Sequence, residues 1–149
     1  MTNRGIWVNG TADISGGEIS NNYAAQSGGG IYVAGRNTTI HGNVVIKDNR
    51  AAINGSGIYV EQALQWGGAA TVEGGNDIYL TAGKYITITE ELDCEMYEIV
   101  AIITLDHYDN DIRVVEDYWE IIEGIDRTRH FRVSDSNYEI FDGLLVRQE

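Results

Sequence analysis

The sequence predicts an all-β fold in which a short parallel β-helix is followed by an irregular, acidic, β-rich C-terminal cap or extension. Three observations lead to it: a short motif recurs, residues 1–83 contain 16 of the 18 glycines, and the apolar runs between glycines are very short. The recurrence is the strongest of the three, because repeats of this length are typical of solenoids. We place the β-helix coils in residues 1–92 and the cap in residues 93–149, packed on the last coil.

The repeat is centred on a Gly-Ile-aromatic-aliphatic segment. Its copies are Gly5-Ile6-Trp7-Val8, Gly30-Ile31-Tyr32-Val33, Gly57-Ile58-Tyr59-Val60 and the weaker Asp77-Ile78-Tyr79-Leu80. Around the two central copies, residues 19–33 align without gaps on residues 46–60, with nine of fifteen positions identical. Glycine pairs argue against a helical repeat, since each glycine costs a helix about 0.8–1 kcal/mol. Short β-branched and aromatic runs between turn residues instead indicate strands that stack coil upon coil.

Strand alternation assigns the residues of each copy to opposite faces. The aliphatic residues face the interior and the aromatic residue faces outward, because successive side chains of a strand alternate. We therefore predict an outward column of rings, and its members are our candidate binding residues: Trp7, Tyr32, Tyr59 and Tyr79. Such a column suits a sugar or a protein partner; the alternative is that the rings only stabilise neighbouring coils.

A recurring asparagine marks a corner between strands. We expect Asn22 to lie above Asn49, both with a left-handed backbone, a conformation that asparagine tolerates better than most residues. Stacked side-chain amides can hydrogen-bond from one coil to the next. The sequence therefore predicts an amide contact between these two coils.

The motifs resemble those of a known group of proteins. The Gly-Gly-Gly-Ile segment at residues 28–31, preceded by Ile-x-x-Asn at 19–22 and again at 46–49, resembles the right-handed parallel β-helix repeats of bacterial and archaeal adhesin-like surface proteins. It is more loosely similar to chlamydial polymorphic outer-membrane protein repeats, which usually carry Phe where this chain has Ile. The resemblance covers roughly residues 5–92. It implies a pectin-lyase-like architecture in an extracellular, cell-surface protein, and hardly anything about activity.

The second half of the chain is acidic and lacks the repeat. Residues 84–149 contain 6 Lys and Arg against 17 Asp and Glu, and several strand-like runs. The run at residues 118–122 is compatible with a strand or a short helix. Asp142-Gly143 between apolar runs predicts a hairpin turn. Since a solenoid exposes strand edges at its last rung, we interpret this half as a layer that continues or caps the stack.

Composition excludes several classes of partner. A net charge of −13 argues against nucleic acids and anionic membranes as partners. No stretch of 18 apolar residues is present, so we predict no direct membrane insertion. Residues 1–5 lack the apolar run of a signal peptide, which predicts a cytoplasmic protein or a piece of something larger. The single cysteine, Cys94, excludes an internal disulfide and a multi-cysteine zinc site.

One cluster has the composition of a metal site. Asp106, Asp109 and Asp111 offer oxygens of the kind that Ca²⁺ takes. The spacing of an EF-hand is absent, so a solvated acidic turn is the alternative, and we predict no other cofactor. The three histidines have no mutual spacing typical of zinc or of a nucleophile–base pair.

These observations favour a non-catalytic function, with no catalytic residue assigned. We predict a segment of a larger, surface-attached, adhesin-like protein, a rigid display or spacer module whose partners are glycans or surface proteins of a host or neighbouring cell. The alternative is a fragment of a carbohydrate-active β-helix enzyme, a polysaccharide lyase or glycoside hydrolase, which would need carboxylates gathered on one face. A third hypothesis is a homo-oligomer formed by end-to-end stacking, since no cap is visible before the first coil near Ile6.

Overall fold

The computed structural model describes residues 5–117 and 126–149, and within these ranges the chain is almost entirely β. In chain order the strands are β1 (Ile6–Val8), β2 (Thr11–Ile14), β3 (Glu18–Ser20), β4 (Tyr23–Ala24), β5 (Ile31–Val33), β6 (Asn37–Ile40), β7 (Val45–Lys47), β8 (Arg50–Ala51), β9 (Ile58–Val60), β10 (Leu64–Gly68), β11 (Thr71–Val72), β12 (Ile78–Leu80), β13 (Ile86–Leu92), β14 (Ala101–Leu105), β15 (Val115–Asp117), β16 (Phe131–Val133), β17 (Tyr138–Phe141) and β18 (Leu144–Arg147). A 3-10 turn, Arg127–His130, precedes β16. In the described part of the chain no helix is long and apolar enough to cross a membrane. The run at residues 118–122 lies outside the described residues.

The strands stack into parallel sheets that run along a solenoid. The longest sheet has six strands, in the order β1-β5-β9-β12-β14-β16, and the second has five, in the order β2-β6-β10-β13-β15. A third sheet, β3-β7-β11, and a two-stranded sheet, β4-β8, form further walls of the first coils. Neighbours in each sheet come from successive coils, about five turns in all. The predicted all-β parallel solenoid is confirmed.

The repeat copies lie directly above one another. Ile31 pairs with Ile58, and the residues that follow pair in the same register. The register continues on both sides, to Ile6 in β1 and to Ile78 in β12. Ile31, Ile58 and Ile78 are completely buried, as the strand alternation predicts.

The interior is one continuous apolar core that extends from the first coil to the last strands. In the second sheet, Trp66 points inward, is completely buried, and meets the ring of Phe131 edge-on, with 6.1 Å between ring centroids. Phe131 belongs to β16, at the far end of the first sheet. The acidic half therefore shares its core with the repeat half.

The parallel stack continues across residue 92. Ile103 in β14 pairs with Ile78, and Phe131 in β16 pairs with Ala101. The second half therefore first continues the solenoid and then ends in an antiparallel hairpin, β17–β18. The division into domains at residues 1–92 and 93–149 stays a prediction.

The hairpin closes the C-terminal end of the core. Its turn, Asp142-Gly143, has φ values of 51° and 76°, which confirms the predicted turn at this dipeptide. Ile140 and Leu145 point from the two strands into the core and are at most 5 % exposed. The last rung is thus covered by apolar side chains of the same chain.

The first coil is more open than the coils that follow. Ile14 and Ile19 are only partly buried, whereas their partners one coil further on, Ile40 and Ile46, are completely buried. Strands β1, β2, β3 and β4 each stand at the edge of their sheet. The two ends of the solenoid therefore differ in how well the core is covered by the described residues.

The predicted backbone conformation at the asparagine corner is wrong by one residue. Asn21 and Asp48, with φ of 58° and 54°, adopt the left-handed conformation, and Asn22 and Asn49 do not. Because the backbone turns at the preceding residue, the side chain of the second residue can point along the stack. At each corner the first residue therefore makes the backbone turn, and the asparagine that follows it makes the side-chain hydrogen bonds between coils.

Candidate functional site

The structure brings the four predicted aromatic residues together in one column on the first sheet. Trp7 and Tyr32 stack with ring centroids 4.5 Å apart and an interplanar angle of 4°. Tyr32 and Tyr59 are 4.9 Å apart with a 32° tilt, and Tyr59 and Tyr79 are 5.5 Å apart and nearly parallel. These distances follow from strand spacing in a parallel sheet.

Access to the column decreases along the solenoid. Trp7 is 51 % exposed, Tyr32 and Tyr59 are partly buried, and Tyr79 is only 8 % exposed. Because each tyrosine after Trp7 is covered by neighbouring rings, that part of the column presents ring edges and phenol hydroxyls to its surroundings rather than open faces. Stacked rings of this kind stabilise the contact between coils in addition to any recognition.

Two of the three tyrosine hydroxyls of the column bond to acidic residues. Tyr32 donates a hydrogen bond to Glu61 over 3.2 Å, and Tyr79 donates to Asp106 over 2.9 Å. Burial, together with the bond to Asp106, raises the pKa of Tyr79 to about 12. The segment after β14 thus closes over the last ring and removes it from the accessible part of the column.

A ladder of three asparagines lies beside the column at the corner. Asn49 accepts hydrogen bonds at Oδ1 from the backbone and the side chain of Asn22, each over 3.1 Å. Asn49 in turn donates to Oδ1 of Asn76 through its backbone N–H and its side-chain amide, over 3.1 and 3.2 Å. The amide contact between Asn22 and Asn49 is as the sequence predicts.

The third rung of this ladder, Asn76, was missed. A signal for it exists in the sequence, because Asn76 follows Asn49 by the same 27 residues that separate Asn49 from Asn22. The 27-residue spacing of the asparagines is hard to see, because the aromatic copy at residues 77–80 follows the copy at residues 57–60 by only 20 residues. The shortening falls between Asn76 and β12, because Ile78 follows Asn76 by two residues, whereas Ile58 follows Asn49 by nine.

A second polar cluster, not predicted from the sequence, surrounds His41. Its Nε2 lies 2.6 Å from Asp13 Oδ1, and its Nδ1 lies 3.2 Å from Glu90 Oε1. The hydrogen bond to Asp13, supported by the charge of both carboxylates, raises the pKa of His41 against a smaller effect of burial. Three coils are linked in this way, and both ring nitrogens are engaged by carboxylates.

Gly67 makes room for this cluster. A Cβ at Gly67 would overlap Cγ of Glu90, so the glycine leaves the space in which the Glu90 side chain crosses the surface. No sequence spacing indicates the cluster, because its three members are neighbours only once the register of β2, β6 and β13 is known.

The three aspartates of the predicted calcium site do not form a metal-binding group. Among the described residues, no group of three or more His, Cys, Asp or Glu side chains is placed to hold a metal ion. Asp106 accepts the hydroxyl of Tyr79, Asp109 accepts the backbone N–H of Asn110, and the backbone N–H of Asp111 donates to Leu145. Calcium binding stays a prediction that this arrangement does not support.

Comparison with known proteins agrees with the geometry. Residues 15–34 match the family model of the Chlamydia polymorphic membrane protein repeat. The matched segment contains Asn22 of the ladder and the Gly-Gly-Gly-Ile that leads into β5, so its motif residues have identifiable roles in the stack. No curated protein and no solved structure gave a significant match. The chain is a β-helix repeat region with a segment similar to the chlamydial polymorphic membrane protein repeat.

Proposed function

We propose that this chain is a non-catalytic display or spacer module of a larger, adhesin-like protein attached to a cell surface. The observation that carries the proposal is the continuous register of the first sheet from β1 to β16, in a chain with a segment similar to a membrane-protein repeat. A solenoid in which every coil is fixed by its neighbours holds a stiff shape over its whole length. A surface protein can use such a shape to keep a recognition site at a set distance from the cell.

The polar residues that link the coils support a structural role. The three ladder asparagines bond to one another, and both nitrogens of His41 are held by carboxylates. Catalytic side chains need a free group within reach of a substrate. Because these residues are used between coils, the proposal assigns no reaction to them.

The recognition surface in this proposal is the accessible part of the aromatic column, Trp7, Tyr32 and Tyr59, with a glycan or a surface protein as the partner. Its rungs are already fixed, so binding orders few side chains and costs little conformational entropy. Ring edges with hydroxyls offer both apolar contact and hydrogen bonds.

Localisation is tested on cells that express the parent protein. An antibody raised against residues 1–149 should label intact cells, and brief protease treatment of those cells should remove the label while a cytoplasmic marker survives. Labelling that requires permeabilised cells would contradict the proposal.

Recognition is tested on a glycan array and on surface-protein fractions. Binding by the wild-type chain should be lost in Tyr32→Ala and Tyr59→Ala variants that still unfold cooperatively. Tyr97→Ala is the matched control, because Tyr97 is 89 % exposed and lies outside the column. Equal binding by all four proteins would remove the column from the proposal and leave the spacer role.

A further inference from the structure

We propose that a cleft beside the last rung of the solenoid binds a sugar that carries a carboxylate group. The cleft has a volume of about 670 Å³ and lies between β16 and the hairpin β17–β18. Binding sites for small ligands are typically about 300–1,000 Å³. The site shares no residue with the aromatic column, so it is independent of the recognition surface proposed above.

Arg132 supplies the positive charge of the cleft. It occupies the middle of β16, its side chain is exposed, and it forms no ion pair with any described residue. The neighbouring Arg129 is occupied, since its Nε lies 3.5 Å from Asp126 Oδ2 and its guanidinium lies 5.1 Å from the ring centroid of Phe141. A planar guanidinium pairs best with a planar carboxylate, through two parallel hydrogen bonds.

The other polar groups of the cleft suit the hydroxyls of a sugar. Ser136 and Gln148 offer neutral donors and acceptors, and Glu139 offers a carboxylate. The hydroxyl of Ser134 already hydrogen-bonds to Tyr108 over 2.9 Å and offers a ligand only its remaining capacity. Gln148 donates weakly to Glu139, over 3.4 Å, so Glu139 keeps acceptor capacity for a ligand hydroxyl. A fully ionised inorganic anion such as sulfate would use Arg132 but has no donor for Glu139, whereas a sugar acid has partners for both.

Apolar side chains form the remaining wall. Ile102, which pairs with Arg132 in the neighbouring strand, is 38 % exposed at the edge of the cleft. The C–H face of a pyranose can pack on such a surface while its hydroxyls point to the polar side. A second groove of about 380 Å³ shares Ile102 and Ser134 with the cleft and leads past Thr104 to Asp77. The two together give room for more than one sugar unit.

The test is a titration of the whole ¹⁵N-labelled chain with cellobiouronic acid, a disaccharide that ends in glucuronic acid, followed by NMR. We expect shifts of the backbone amides of Arg132, Ser134 and Gln148, and an affinity at least about tenfold above that for the methyl ester of the same disaccharide, because the ester lacks the charge-assisted hydrogen bonds. Cellobiose should behave like the ester.

Variants separate recognition from folding. Arg132→Gln should abolish the preference for the acid over the ester, and Arg132→Lys should retain only part of it, because lysine keeps the charge but loses the planar fork. Arg36→Gln, at an exposed arginine of the second coil, is the control and should bind like the wild type. Thermal unfolding checks that every variant folds.

Several results would overturn the proposal. It fails if the acid and the ester bind equally, if the shifts lie outside the cleft, or if Arg132→Gln binds like the wild type. Tighter binding of a dipeptide with a free carboxylate than of cellobiouronic acid would also overturn it, since the ligand would then not be a sugar.

Discussion

Asn49 donates two hydrogen bonds to a single oxygen of Asn76, one from its backbone N–H over 3.1 Å and one from its side-chain amide over 3.2 Å. Its own Oδ1 receives the equivalent pair from Asn22. Asn49 is 3 % exposed, so water cannot replace these partners. It is the central member of the only ladder of three amides among the described residues.

We expect Asn49→Ala to lower the free energy of unfolding by about 2–4 kcal/mol, because it leaves the backbone N–H of Asn22 and the carbonyl of Ile19 without their partners. Asn9→Ala, at an exposed asparagine, is the control and should change stability by less than about 0.5 kcal/mol. Urea unfolding monitored by circular dichroism measures both. Equal stability of the two variants would contradict a structural role for the ladder.

Close contact between coils makes Gly30 sensitive to substitution. A Cβ at this position would lie 2.7 Å from the carbonyl oxygen of Gly57 and 3.0 Å from Nδ2 of Asn49. We expect Gly30→Ala to destabilise the chain by about 1–3 kcal/mol, since backbone must move to admit the methyl group.

Gly10 provides the matched control for this substitution. A Cβ at Gly10 meets nothing within 4 Å, and its backbone is not left-handed. Gly10→Ala should therefore be neutral or slightly stabilising, since it reduces the freedom of the unfolded chain. Thermal unfolding compares the melting temperatures of the two variants. Equal melting temperatures for Gly10→Ala and Gly30→Ala would contradict close packing of the coils.

Much of this fold could be predicted because a repeat carries its own register. Once the copies around Ile31 and Ile58 are aligned, strand alternation decides which side chains are inside and which form the aromatic column. The same reasoning stops at the acidic half, where β14 and β16 continue the first sheet without any copy of the motif. Their burial pattern alternates, but three to five residues of alternation do not identify the partner strand.

The polar clusters were harder to predict for a different reason. Asn22 and Asn49 share a sequence context, whereas Asp13, His41 and Glu90 share none, and only the stacking of β2, β6 and β13 brings them together. No sequence motif indicates the cleft at Arg132 either, because its other wall is the hairpin that begins at Tyr138. Contacts between unlike residues of different coils depend on the register and cannot be read from the chain alone.

Thr38 and Thr39 make a matched pair within β6. Thr38 is completely buried and its hydroxyl has no hydrogen-bond partner among the described residues, whereas the hydroxyl of Thr39 donates to Gln65 over 2.7 Å. We expect Thr38→Val to raise the free energy of unfolding by about 1 kcal/mol, because valine keeps the shape and removes a buried, unpaired hydroxyl. Thr39→Val should lower it by about 0.5–1 kcal/mol. Chemical denaturation of the two variants gives both values, and destabilisation by Thr38→Val would show that this hydroxyl has a partner.

The unequal ends of the solenoid bear on the hypothesis of end-to-end stacking. Ile14 and Ile19 of the first coil are partly exposed at sheet edges, whereas the other end is covered by the hairpin and lies in the half with most of the acidic residues. For the chain of residues 1–149 by itself, we therefore expect association of two copies through their first coils, which stops at a dimer rather than continuing into a filament. Light scattering over a concentration series should show a dimer that Ile14→Lys converts to a monomer and that Phe141→Lys, in the exposed part of the hairpin, leaves unchanged. Filaments, or a dimer sensitive only to the hairpin variant, would contradict this.

The cluster of Asp13, His41 and Glu90 predicts a defined dependence of stability on pH. The pKa of His41 is higher in the folded chain than its ordinary value of 6.5, mainly because of the hydrogen bond to Asp13. A group with a raised folded pKa contributes its full stabilisation below the unfolded pKa and loses it as pH rises through the folded pKa. We therefore expect the free energy of unfolding to fall as the pH is raised from about 6 through the folded pKa of His41, when the imidazolium that links the two carboxylates becomes neutral.

His41→Gln isolates this contribution, because glutamine can hydrogen-bond but does not titrate. The difference in unfolding free energy between the wild type and His41→Gln should be largest near pH 6 and should shrink toward high pH. This difference should stay below about 1 kcal/mol, since the cluster is partly open to solvent. The comparison is made above about pH 5, where a carboxyl group of ordinary pKa is ionised. His107→Gln is the control, at an exposed histidine for which no side-chain partner is found in the described part of the chain, so it reports the effect of replacing a histidine away from the two carboxylates. An NMR titration of the imidazole resonances locates the folded pKa directly, and a value at or below 6.5 would show that the two carboxylates do not hold the ring in solution.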